Sequence, residues 1–205
     1  MTPFLLIAVV LASGPSREAA KRAALGGAPT ARPSQLSDTE VLEQAQALLG
    51  AIDTPVSSAQ WRALGPRAEP FLAALIEDES ELPTRRARAV DGLMTVGGAH
   101  TRARFSRLAE GDGQPIVVRL AALRGLGAIV PPAELPAALG ALLARAPDSR
   151  IRAAAGEVLA LRARAACPAI EAQIGHEAPD GREQFQKATR ACGFSPRTSP
   201  TGTTR

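Results

Sequence analysis

The stretch V-V-R-L-A-A-L-R-G-L-G-A-I at 117–129 decides the fold, because it recurs on either side. T-R-R-A-R-A-V-D-G-L-M-T-V at 84–96 precedes it and R-I-R-A-A-A-G-E-V-L-A-L-R at 150–162 follows it. Arg86, Arg119 and Arg152 are 33 and 33 residues apart, as are Ala89, Ala122 and Ala155, and Leu93, Leu126 and Leu159. A constant offset in this range is the mark of stacked structural repeats. Within each line the apolar residues fall at helical spacing. The alanines are small where backbones must approach, and the leucines, one helical turn on, fill the seam.

Working outward, helices alternate with short breaks. Ser37-Asp38-Thr39-Glu40 is a capping box, with Leu36 and Val41 placed as a hydrophobic staple, and its helix ends at Gly50. Thr54-Pro55 predicts the start of the next helix, which carries Trp61 and Leu64. Further helices are expected near 67–78, 84–97, 101–110, 115–130, 135–146 and 149–165. Connections of two to six residues suit adjacent antiparallel helices.

Composition agrees. Aromatic residues make up 3% of the chain and hydrophobic ones 45%, so the core must be built of Leu, Ile, Val and Ala. That excludes wholesale disorder and disfavours a β-sandwich or barrel. Net charge is +4, with 9 basic and 11 acidic residues in 1–100 and 15 basic and 9 acidic in 101–205. Only Lys21 and Lys187 are lysines. The arginines alternate with acids and lack aromatic stacking partners, which reads as solvated helix faces more than as a nucleic-acid surface.

The apolar run Pro3–Ala12 is too short to span a bilayer and has the length of a secretory signal core, although no basic residue precedes it. Residues 1–13 are therefore expected to be a signal peptide, 14–36 a flexible linker, 37–166 the repeat domain, 167–193 a C-terminal helical hairpin cap and 194–205 a disordered tail. Export would place the chain in the periplasm or outside the cell; a cytoplasmic location is the alternative. Cys167 and Cys192 bracket the cap, and in an oxidising compartment they are expected to form a disulfide.

Two stretches resemble HEAT repeats of the short class also seen in phycobilin lyase subunits. They are Leu64-Gly65-Pro66-Arg67-Ala68-Glu69-Pro70-Phe71-Leu72-Ala73-Ala74-Leu75-Ile76-Glu77-Asp78 and Asp148-Ser149-Arg150-Ile151-Arg152-Ala153-Ala154-Ala155. The resemblance implies an all-α, right-handed α-solenoid of about five stacked helix pairs. It also implies a ladder in which the repeated arginine bonds the turn aspartate, here Arg152 with Asp148, and more weakly Arg119 and Arg86.

No catalytic constellation stands out. His100 and His176 lie in separate turns without a second ligand at metal spacing, and no phosphate-cradling glycine pattern occurs. No enzyme activity, cofactor or metal is expected. The leading expectation is a monomeric scaffold that binds a protein or peptide through exposed residues of the second helices, such as Arg88, Asp91, Arg124 and Glu157. Nucleic acid binding through an arginine-rich face, or a role as lyase or enzyme accessory subunit, are the alternatives.

Overall fold

The structure, a computed structural model, describes residues 36–51 and 54–194. The expectations for 1–13, for nearly all of 14–36 and for the tail beyond 194 lie outside the described residues. The described residues form eleven α-helices and no strand. They are α1 (Asp38–Gly50), α2 (Ser58–Leu64), α3 (Glu69–Glu77), α4 (Pro83–Val96), α5 (Thr101–Glu110), α6 (Ile116–Ile129), α7 (Leu135–Arg145), α8 (Ser149–Arg162), α9 (Cys167–His176), α10 (Pro179–Gln184) and α11 (Gln186–Cys192). Short 3-10 turns at Pro66–Ala68 and Arg164–Ala166 lead into α3 and α9.

The recurrence extends to the helix ends. Helices α4, α6 and α8 begin at 83, 116 and 149 and end at 96, 129 and 162, so both boundaries step by 33. Each packs on the helix just before it in the chain: α3 on α4, α5 on α6, α7 on α8. Helices α4, α6, α8 and α11 also pack side by side in that order. One continuous core results. Ala89, Leu93, Ala122, Leu126, Ala155 and Leu159 are all 0–1% exposed within it. Each helix alone would leave such a stripe wet, and contact with neighbours on both sides hides it.

Two glycines in the same register allow close approach. A β-carbon at Gly92 would lie 2.9 Å from the Trp61 ring, and one at Gly125 would lie 2.5 Å from the Phe105 ring. The Trp61 and Phe105 rings thus rest on bare backbone of α4 and α6. In the cap, Phe185 is fully buried against Gly156.

The predicted starts are met at Ser37, whose hydroxyl accepts from the Glu40 backbone while the Glu40 carboxylate accepts from the Ser37 N–H. They are not met at Thr54-Pro55. Helix α2 starts at Ser58, because Ser57 and Gln60 form a second capping box that satisfies two backbone donors at once. The expected hairpin cap has three helices instead of two. Phe185 breaks its second arm by leaving the helical line to reach the core. The Cys167 and Cys192 sulfurs lie at bonding distance, 2.00 Å, tying the first residue of α9 to the last of α11.

Candidate functional site

The repeated arginines turn inward. Arg86 and Arg119 are 2% and 5% exposed, unusual for guanidinium groups. The Arg86 Nε–H donates to the Ile76 carbonyl at 2.9 Å and the Arg119 Nε–H to the Ala109 carbonyl at 3.0 Å. Both acceptors sit in the last turn of the preceding helix, where carbonyls have no intrahelical donor and the helix dipole favours a cation. Helices α4 and α6 thus cap the C-termini of α3 and α5, whereas Arg152 of α8 reaches the Ala146 and Pro147 carbonyls just beyond α7 through Nη1.

The second nitrogens reach forward to the next pair. Arg86 Nη2 donates to Gln114 Oε1 at 2.7 Å, just ahead of α6. The Asp148 carboxyl is held below its ordinary range chiefly by hydrogen bonds from Arg150, with the Arg119 charge adding to the effect. Arg152 grips Glu177 of the cap with two nitrogens, one bond at 2.6 Å, and Gln173 donates to the same carboxylate. These bonds hold the Glu177 carboxyl below the usual carboxylate range although it is buried.

The arginine–aspartate ladder therefore takes a form other than the expected one. Asp148 caps α8 through the Arg150 N–H and binds the Arg150 guanidinium at 2.6 Å, while Arg152 serves Glu177. Asp112, seven residues ahead of Arg119, nevertheless pairs with it at 3.1 Å.

Another side of the same helices carries charged side chains that also recur in register. Asp91, Arg124 and Glu157 occupy equivalent positions of α4, α6 and α8, again 33 residues apart. Arg124 Nη2 lies 3.4 Å from Asp91 Oδ1, and Lys187 Nζ of α11 lies 3.5 Å from Glu157 Oε1. A row of alternating charge, Asp91–Arg124–Glu157–Lys187, thus crosses four helices. The Arg124 and Lys187 side chains are 58% and 68% exposed. Burial pushes the Asp91 carboxyl above its ordinary value, and the charges of Arg124 and Arg88 only partly oppose that.

Several residues at helical spacing from the row are apolar or small, while Arg88 and Arg150 are charged. Val117 and Ala128 flank Arg124, and Ala154 and Leu161 flank Glu157. Leu161 is 63% exposed and Val117 38%. Arg88, expected among the exposed contact residues, is half-buried and donates to the Leu49 carbonyl at the end of α1, 2.9 Å away. It acts as another helix-end cap.

Three further arginines are engaged with carboxylates. Arg104 and Arg107 both donate to Glu77, and Arg102 to Glu134. Among the described residues no group of three or more His, Cys, Asp or Glu side chains is placed to hold a metal ion, and no helix is long and apolar enough to cross a membrane. His100 is exposed in the turn before α5, and His176 is exposed at the last residue of α9. No family model matches the chain, and no curated protein or solved structure shows significant similarity to it.

Sequence reasoning names Asp91, Arg124 and Glu157, with Arg88, as exposed residues of the second helices but not as one row, and missed Lys187, which sits 30 residues after Glu157 instead of 33. It also missed Glu177 and Gln114 as arginine partners. The glycines at 92 and 125 share the 33-residue register and were open to the same search that found the alanines.

Proposed function

We propose that this chain is a non-enzymatic scaffold of the HEAT-like class, a right-handed stack of about five helix pairs whose second helices present a binding face to a protein or peptide. The observation that carries the reading is the row of α4, α6, α8 and α11 with the charges of Asp91, Arg124, Glu157 and Lys187 in register on their exposed side. Stacked helix pairs offer extended surfaces of this kind, and a polar stripe beside apolar patches is how protein interfaces are commonly built. The pairing of Arg102, Arg104 and Arg107 with Glu134 and Glu77 weighs against a phosphate-binding strip. The disulfide-capable pair and the signal-like run at 3–12 favour the periplasm or the cell exterior as the place of action.

The lysine content makes the reading testable. With lysine only at 21 and 187, an amine-reactive crosslinker reports on the face through Lys187 and on the N-terminal segment through Lys21. In cells producing the tagged chain, a protein crosslinked through Lys187 is expected, with a lower yield in Arg124→Glu. Crosslinks through Lys21 alone, or a yield indifferent to Arg124→Glu, would count against this face.

A further inference from the structure

We infer that the exposed face of α4, α6, α8 and α11 pairs with the same face of a second copy of the chain, about a two-fold axis parallel to the helices and midway between Arg124 and Glu157. This rests on the reading of that face as a binding surface and names the occupant.

The argument is one of charge order. From α4 to α11 the row reads negative, positive, negative, positive, in Asp91, Arg124, Glu157 and Lys187. Read backwards it is the complement of itself. A two-fold interface applies the same patch to itself, so a reversible complement is what such an interface requires. With the axis as stated, Asp91 faces the partner subunit's Lys187 and Arg124 faces the partner subunit's Glu157. An axis along the row would instead set each charge against its own copy, which is repulsive. The pattern therefore selects one orientation out of two.

The flanking residues fit the same operation. Leu161 lies four residues after Glu157 and Ala128 four after Arg124. The rotation that sets Glu157 on the partner's Arg124 therefore sets the 63%-exposed Leu161 over the partner's Ala128, a large side chain on a small one. Val117 and Arg150 each lie seven residues before their row member, so Val117 meets the aliphatic stem of the partner's Arg150. The intrachain contacts of the row are loose, at 3.4 and 3.5 Å, and leave most donors of Arg124 and Lys187 available to a facing carboxylate.

The test is sedimentation equilibrium of the full chain with its disulfide intact, from nanomolar to high micromolar concentration, joined to zero-length carbodiimide crosslinking of mixed isotope-labelled and unlabelled chains. A monomer–dimer equilibrium is expected, with a Lys187–Asp91 bond between chains. Within one chain that bond is closed off, because α6 and α8 stand between the two residues.

Arg124→Glu is expected to weaken the dimer by about tenfold or more, since it opposes like charges at two symmetric places. Arg124→Glu combined with Glu157→Arg restores the reversed complement while destroying both intrachain ion pairs. It is expected to recover the parent dimer affinity to within a few fold, with circular dichroism confirming the fold of each variant.

A chain that stays monomeric at every concentration would overturn the inference. So would a double variant weaker than the single one, or Lys187 joined only to Glu157 of its own chain. A monomer that still crosslinks a different protein through Lys187 would overturn self-pairing and leave the scaffold reading standing.

Discussion

Arg119→Met removes the guanidinium and keeps the stem that fills the space between α5 and α6. The lost bond is a charge-assisted one from Nε–H to the Ala109 carbonyl, 3.0 Å long and buried. Such bonds contribute about 1.5–3 kcal/mol net, and the carbonyl left behind finds no other donor in the last turn of α5. The ion pair with Asp112 adds only about 0–1 kcal/mol, since that carboxylate is 67% exposed. Against these stands the cost of burying a guanidinium whose Nη2 has no protein partner, which the methionine relieves. The net expectation is a loss of about 1.5–3 kcal/mol, read as a lower urea midpoint at unchanged slope. For a domain of this size it lowers the melting temperature by about 2–4 °C per kcal/mol. Arg86→Met should lose at least as much, because Arg86 also holds Gln114. Arg124→Met, on the exposed face, should stay within about 0.5 kcal/mol. If Arg119→Met melted with the parent and Arg124→Met did not, the assignment of buried helix-end caps would be refuted.

Other outcomes follow from the packing. Gly125→Ala should destabilise by about 1–3 kcal/mol, because its new methyl would sit 2.5 Å from the Phe105 ring. Gly140→Ala, with nothing within 4 Å, should stabilise α7 by about 0.5–1 kcal/mol. Thermal melts of the two variants must therefore move in opposite directions. Leu126→Ala, at 1% exposure in the core, should cost about 2–5 kcal/mol in denaturant unfolding. Thiol titration of the unreduced, unfolded chain should find no free cysteine, and Cys167→Ser with Cys192→Ser should cost about 3–4 kcal/mol, the chain-entropy value for closing a 25-residue separation. The Glu177 carboxyl is depressed in the folded chain, so its contribution is complete above the ordinary carboxylate range and is lost as pH falls through the lowered value. Acid unfolding of Glu177→Gln should accordingly show a weaker pH dependence in that window than the parent.

What was legible was whatever repeats. Helix boundaries and the buried alanines and leucines follow from one offset, because residues in one register meet equivalent neighbours; of the expected contact residues Arg124 is exposed, whereas Asp91 and Glu157 are half-buried. The partners of the buried arginines were hidden for a physical reason. Ile76 and Ala109 contribute backbone carbonyls, and a carbonyl has no side-chain signature. The cap departs from the period: Glu177 follows Arg152 by 25 residues, so no register search reaches it. At α2 two start signals competed, Pro55 at a first helical position and the Ser57–Gln60 box, and the one that satisfies two donors prevailed. The break at Phe185 was illegible because burial of one ring against Gly156 outweighs the continuity of a short exposed helix.

The account stands on α4 and α6 gripping the ends of α3 and α5 in the same way, through the Nε–H of Arg86 and of Arg119. Hydrogen exchange of the arginine Nε–H groups, resolved by nitrogen-15 NMR of the full chain, observes that grip directly. Arg86 and Arg119 are predicted to exchange much more slowly than the exposed Arg62 and Arg145. Rapid exchange at either Arg86 or Arg119, with the fold intact, would contradict it.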